Sequence, residues 1–485
     1  MIMHRIIRWL ALASILTCIP AGVTSAADMT RIEIEFATGK LGLLAQVPPT
    51  GKVVVSGVPL RGKGDPAVFD LHPQRILSDD AQLVIHGAAG AEIIAFPRHR
   101  QFAGSIRGEV GSRVIITLLE SGEIRGIASS AAEHWLLQDQ GSELVLVAVD
   151  AAHSPGTANG FTCDGALTVP ESAGRGAAPA GGGDASPELQ GPVNPAAALR
   201  AARVAVETDY EFFQKLGSNV ANATAYIHGL LGYASLVYEA EIDTQLLVSS
   251  VSLWTDPNDP WTQTSSYCSL LELGKYWNDN HGGIQRTITH MLSGKPTGGG
   301  VAWVGVLCNG PFDYSADECS LNPQTSNYGG AYGFVGGISG DFNPGNPGVM
   351  WDILATSHEI GHNFNSPHSH CYAGVGGNPN PIDGCYNLES GSSCYSGSLG
   401  LPGIGTVIGG PSGQGTGTIM SYCHQRGGGY SNVGMTFGQN HPYGVAAGRE
   451  AARMREHVTS RAALHPSCFA PPVSYDVLFG DGFEG

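Results

Sequence analysis

The stretch from Ser357 to Tyr372 reads SHEIGHNFNSPHSHCY, and the architecture of the second half of the chain turns on it. His358 and His362 are four positions apart in a predicted helix. Their imidazoles therefore project from one face about one turn apart and can reach a single zinc ion. Glu359 lies between them in sequence and can lean over a metal-bound water as general base. His368 follows six residues after His362, too far along to share that helical face, so the chain must turn back toward the metal. Asn365 stands where this turn is expected, because asparagine is among the few non-glycine residues that enter the left-handed region readily. Pro367 then prevents the helix from continuing. Three neutral imidazoles plus one water make an open tetrahedral site, the arrangement of a catalytic zinc rather than a sealed structural one. His370 competes with His368 for the third place.

HEIGHNFNSPH resembles the H-E-x-x-H-x-x-G-x-x-H signature of the metzincin metallopeptidases, and TIMSY, from Thr418 to Tyr422, resembles their Met-turn. The flavour of SHEIGHNF and the order of elements before it are nearest to bacterial reprolysin-like (adamalysin-like) members, over roughly Ala201 to Cys468. One signature position departs, with Asn365 in place of the usual glycine. The resemblance implies one catalytic Zn2+ held by His358, His362 and His368, the family spacing favouring His368 over His370. It implies that Glu359 takes a proton from the zinc-bound water and passes it to the leaving amine, with Met420 under the metal. Tyr422 follows Met420 by two residues, as does the tyrosine of astacins and serralysins that binds zinc or steadies the oxyanion; reprolysins usually lack it. The duller alternatives are that Tyr422 lines the primed-side pocket and that Met420 simply fills the core. Polypeptide substrates are expected to lie along an edge strand, for which Val301 to Leu307 and Tyr332 to Val335 are the candidates.

Working outward, the segment around this motif alternates strands and helices. RVAVET from Arg203 to Thr208 suits a buried strand, and Ile227, Leu230, Leu231, Ala234 and Tyr238 recur at helical spacing. Strand character returns from Ile242 to Leu253, a helix is expected from about Ser266 to Trp277, a strand at Thr287 to Leu292, and a last helix from Gly444 to Val458. Before this, Arg31 to Val149 shows short alternating strands with no cluster of metal ligands or nucleophiles. The expected fold is therefore α/β (α+β), a metzincin catalytic domain with a twisted mixed sheet and an active-site helix, preceded by a mainly β prodomain.

The expected boundaries are a signal peptide at 1–27, a β-rich prodomain at 28–170, a linker at 171–195, the catalytic domain at 196–470 and a tail at 471–485. The signal reading rests on His4, Arg5 and Arg8 ahead of an apolar run that Cys18 and Pro20 break short of a membrane span. ESAGRGAAPAGGGDASPELQGPVNP, from Glu171 to Pro195, lacks apolar periodicity and reads as a flexible, protease-accessible linker. A secreted or periplasmic protein with no membrane insertion after signal removal is expected, and a monomer.

Composition narrows the partners. The 485 residues carry 25 Lys+Arg against 42 Asp+Glu, a formal charge of −17 that repels phosphate backbones and excludes nucleic acid as an expected partner. Hydrophobic residues make up 42%, enough for a sizeable core. The acidic balance could favour calcium, but the Gly- and Asn-rich loops hold no clear calcium motif. Of ten cysteines, Cys18 falls in the signal and eight follow the linker, an even set consistent with four disulfides in any of 105 pairings. Cys163 is left over just before the linker. A thiolate at the end of a removable domain can fill the open zinc position, so Cys163 is a candidate cysteine switch, although Asp164 stands where related motifs usually place glycine. The reading is a zinc endopeptidase made as a latent zymogen; the alternative is an inactive metzincin-fold binding or adhesion protein, against which the intact Glu359 argues.

Overall fold

A computed structural model describes residues 31–36, 40–60, 65–130, 133–139, 144–149, 167–170, 199–341, 348–410 and 415–472. The expected signal peptide, Cys163, the expected linker and all but two residues of the expected tail lie outside them. Ten strands occupy the N-terminal half: β1 (Arg31–Glu35), β2 (Lys52–Val58), β3 (Ala67–Gln74), β4 (Leu77–Gly87), β5 (Gly90–Ile94), β6 (Arg100–Ile106), β7 (Arg113–Leu118), β8 (Ile124–Ser129), β9 (His134–Asp139) and β10 (Leu144–Val149). Then come β11 (Arg200–Thr208), α1 (Tyr210–Lys215), α2 (Val220–Ile242), β12 (Thr244–Trp254), α3 (Ser266–Asn280), β13 (Ile288–Leu292) and β14 (Gly300–Ala302). The chain closes with β15 (Phe312–Ser315), β16 (Thr325–Gly329), β17 (Tyr332–Val335), α4 (Gly348–Asn363), α5 (Arg449–Leu464) and β18 (Phe469–Ala470).

Eight N-terminal strands form one sheet in the order β1-β2-β3-β6-β7-β8-β9-β10, antiparallel except for the β1–β2 pair. The second large sheet runs β14-β17-β13-β11-β12-β4-β5 and mixes parallel and antiparallel pairs. Its parallel centre is buried on both faces, which is why β11 and β12 read as nearly continuous apolar and small residues rather than alternating. The sheet crosses the expected boundary between the halves: Gln82 to His86 of β4 pair in register with Ser250 to Trp254 of β12.

Helix α2 starts at Asn219, whose side chain accepts the Asn222 N–H, and stops at Asp243, which turns left-handed at φ 54°. Seventeen of its 23 residues are buried, so the helix keeps almost no solvent face. Gly232 provides a close approach to the N-terminal sheet, since a Cβ there would lie 2.7 Å from Ile115 Cδ1.

Two expectations change. The strand expected from Val301 to Leu307 ends at Ala302, because Gly305 (φ 69°) and Cys308 (φ 62°) turn the chain. Gly305 and Val306 then donate N–H bonds to the carbonyls of His362 and Asn363. The last helix begins at Arg449 rather than Gly444, since Gly444 (φ 82°) and Ala446 (φ 47°) hold left-handed conformations that a right-handed helix excludes. Four disulfides pair the eight cysteines after residue 195: Cys268–Cys319, Cys308–Cys468, Cys371–Cys394 and Cys385–Cys423. Among the described residues no helix is long and apolar enough to cross a membrane.

Candidate metal centre and active-site cleft

The histidine helix α4 is buried along nearly its whole length and its orientation is fixed at several points. Asn363 Nδ2 donates to the carbonyls of Trp303 and Tyr332, both at 2.9 Å, which ties the helix end to the edge of the sheet. The Tyr238 hydroxyl donates to the Ser357 carbonyl at 3.0 Å. Asn365 adopts φ 78°, the left-handed turn expected of it. Arg453 of α5 holds this turn by bonding the Asn365 carbonyl at 2.5 Å and its side-chain oxygen at 3.2 Å. The turn brings His368 back over the helix.

His358, His362 and His368 then converge, with candidate ligand atoms all within 4.8 Å of one another. His362 Nε2 and His368 Nε2 are 3.1 Å apart. Each ring is held through Nδ1: His358 donates to the Ile419 carbonyl at 2.7 Å, His362 to the Ser366 carbonyl at 2.7 Å, and His368 to Glu389 at 2.6 Å. Donation from Nδ1 leaves a lone pair on every Nε2, and the three lone pairs share one small space. His358 Nε2 is buried with no hydrogen-bond partner among the described residues. A cation between the rings satisfies all three atoms at once, so the residues present fit a divalent metal. Burial lowers the pKa of all three imidazoles, that of His362 to about 3, and the neighbouring rings lower His358 and His362 further; Glu389 partly opposes the shift at His368.

Glu359 is fully buried beside this cluster and faces β14. A Cβ at residue 300 would lie 2.7 Å from the Glu359 carboxyl carbon, so glycine there leaves the carboxylate its place. Strand β14 is the outer strand of the sheet at this end, whereas β17 lies inside it between β14 and β13; of the two edge candidates only the first is an edge. Leu167 lies on the far side of β14: its N–H donates to the Ala302 carbonyl at 3.3 Å, and its carbonyl accepts from Val304 at 3.0 Å.

Beneath the histidines, Met420 packs against the helix where Gly361 makes room, since a Cβ there would lie 2.5 Å from Met420 Sδ. Tyr422 is buried with its hydroxyl 3.1 Å from His368 Nε2. Ser369 joins the turn to this segment through its N–H to the Met420 carbonyl at 3.0 Å, and to α5 through its hydroxyl to Glu450 at 2.6 Å. His370 is fully buried, stacks on His368 at 5.2 Å and bonds Glu389 from the other side at 2.8 Å. Sequence reasoning missed Glu389, Gly300 and Arg453. Glu389 is one acid in a Gly- and Ser-rich loop between two cysteines, and nothing in that loop's pattern singles it out.

The elements expected of a metallopeptidase site thus lie together: imidazoles converging from H-E-x-x-H, a buried glutamate and an adjacent sheet edge. Residues 198–433 match the Reprolysin_5 model, metallo-peptidase family M12, so the resemblance to reprolysin-like metallopeptidases holds over the segment that carries the site. Members of that family use zinc, and the match supports a zinc protease. Among solved structures, metalloproteinase-II from Bacteroides fragilis is similar at 10% identity with a TM-score of 0.36, over 73% of this chain and 92% of that one. No curated protein matches.

Proposed function

We propose that the chain is an exported zinc endopeptidase, synthesised as a latent precursor, in which His358, His362 and His368 hold the metal and Glu359 is the general base. The convergence of three imidazoles, with ligand atoms within 4.8 Å of one another, at a helix that also buries Glu359 carries this reading. Zinc bound there supplies a Lewis acid that polarises a peptide carbonyl and brings the pKa of water toward neutrality. The chain's own residues do the rest. Once the chain is cut, a polypeptide adds by main-chain hydrogen bonds to the side of β14 away from β17, which brings its scissile bond past Gly300 to Glu359. Glu359 takes a proton from the attacking water and returns it to the leaving nitrogen. The Tyr422 hydroxyl, close to His368, donates to the carbonyl oxygen as it gains charge. Met420 supports the histidine helix from below.

Latency follows from what lies on β14. Leu167 takes main-chain bonds that a substrate would need, so residues 28–170 act as a prodomain that covers the cleft until the chain is cut within 171–195. In this reading Cys163, four residues upstream of Leu167, caps the metal, residues 1–27 direct export and residues 471–485 are a tail. Eight cysteines joined in four disulfides fit an oxidising compartment outside the cytoplasm. The deciding experiment incubates the cut chain with casein, with and without a zinc chelator, beside Glu359→Ala. Chelator-sensitive cleavage that Glu359→Ala abolishes is expected; its absence in the unaltered protein would end the proposal.

A further inference from the structure

The three imidazoles are not held alike. His358 and His362 give their Nδ1 protons to neutral backbone carbonyls, but His368 gives its proton to the carboxylate of Glu389. The same Oε2 atom of Glu389 also takes the Nε2 proton of His370 at 2.8 Å. The loop that carries Glu389 is stapled on both sides, by Cys371–Cys394 to the residue after His370 and by Cys385–Cys423 to the residue after Tyr422. It is pinned again where the Tyr395 N–H bonds the His370 carbonyl at 2.7 Å. We infer that Glu389 is a positioning residue for the metal, which fixes His368 as the third ligand and takes the Nε2 atom of His370 out of contention.

Two consequences follow from the chemistry, and both rest on the zinc reading above. A carboxylate on Nδ1 locks the His368 tautomer with its lone pair on Nε2, fixes the ring plane and makes that nitrogen the most electron-rich of the three. It also places one negative charge beside a site whose ligands are otherwise neutral, which favours a dication. His370, with its Nε2 proton engaged by Glu389, offers no lone pair from that atom. Two histidines separated by one residue thus acquire different roles from a single acid outside the motif. His368 coordinates, and His370 braces the carboxylate.

The test compares the full chain with Glu389→Ala and Glu389→Gln, measuring zinc affinity by chelator competition, the unfolding midpoint of the metal-free protein and the visible spectrum of the cobalt-loaded form. Zinc affinity should fall about 10- to 100-fold in Glu389→Ala, the usual consequence of losing such a partner. Glu389→Gln should fall between, since a carboxamide oxygen can still accept the imidazole protons but carries no charge. The cobalt spectrum of Glu389→Ala should change, whereas a merely structural role would shift only the metal-free unfolding midpoint. If Glu389→Ala does not fold, Glu389→Gln decides, and wild-type affinity in that variant overturns the inference. Unchanged affinity and spectrum in folded Glu389→Ala overturn it equally. An unaltered chain that binds no zinc brings down the protease reading as well; one that binds normally beside indifferent variants brings down this inference alone.

Discussion

Gly300 of the edge strand lies against Glu359 so closely that a Cβ at residue 300 would be 2.6 Å from Glu359 Cγ and 2.7 Å from its carboxyl carbon. The strand that would receive substrate and the proposed base are therefore in direct steric contact. Gly300→Ala should displace the Glu359 carboxylate without touching the histidines. Loss of a correctly placed general base costs on the order of 100-fold or more in rate. The expected result is a drop of that size in kcat for peptide hydrolysis with zinc content and unfolding midpoint nearly unchanged. Equal activity in Gly300→Ala would show that the carboxylate acts from elsewhere or not at all.

Glu241 of α2 ties the two halves together. It accepts from Arg113 of β7 at 2.6 Å, from Thr436 Oγ1 at 2.9 Å and from the N–H groups of Phe437 and Gln439 at 2.8 and 3.2 Å. Both members of the ion pair are largely buried, with side chains 12% and 5% exposed. Removing one partner strands the other charge, which costs about 3–5 kcal/mol in buried pairs. Glu241→Ala should lower the unfolding midpoint of the uncut chain by several degrees. A change within experimental error in denaturant titration would mean that water replaces the lost carboxylate.

The histidine motif, the returning turn at Asn365 and the central strands were legible because each has a local cause: helical spacing, left-handed tolerance, continuous apolar runs. What escaped was set by distant pieces of chain. No local pattern shows that β4, some 160 residues upstream of β12, completes the same sheet, because its alternation fits any half-buried strand. Val301 to Leu307 has strand composition throughout, yet the bonds from Gly305 and Val306 to the end of α4 override it. Glu389 gains its role only when two disulfides fold its loop onto His368.

The main-chain bonds of Leu167 give latency a direct test. Leu167→Pro removes the N–H that donates to Ala302, while Leu167→Ala keeps it and trims only the side chain. A net hydrogen bond of about 1 kcal/mol shifts an open–closed equilibrium roughly fivefold. Uncut Leu167→Pro should therefore show a several-fold rise in chelator-sensitive casein hydrolysis over both uncut Leu167→Ala and the unaltered precursor. If the proline variant stays as silent as the others, the segment at 167–170 does not guard the cleft.

Glu207, fully buried in β11, accepts an indole N–H from Trp254 on one oxygen and from Trp277 on the other, both at 2.9 Å. Burial raises its pKa from 4.5 to about 8, with the indole and Thr208 hydrogen bonds only partly opposing. In that window the folded chain keeps a proton that the unfolded chain releases, so the folded state binds more protons and stability falls as pH rises. The contribution is fully present below about 4.5 and is lost as pH climbs through about 8. Glu450, also buried and also raised to about 8, adds to the same slope. The buried histidines, lowered below their ordinary 6.5, work in the opposite sense only at lower pH, where the unfolded chain takes up protons that they refuse. Denaturant unfolding of the metal-free protein should therefore show declining stability from pH 7 to about pH 8.5. Glu207→Gln should flatten part of that decline, because an amide does not titrate. It should also lower stability by about 1–3 kcal/mol at pH 6, since its NH2 group cannot accept the second indole proton and one buried donor is left unpaired. A decline of the same steepness in Glu207→Gln would assign the whole slope to Glu450 and remove Glu207 from the account.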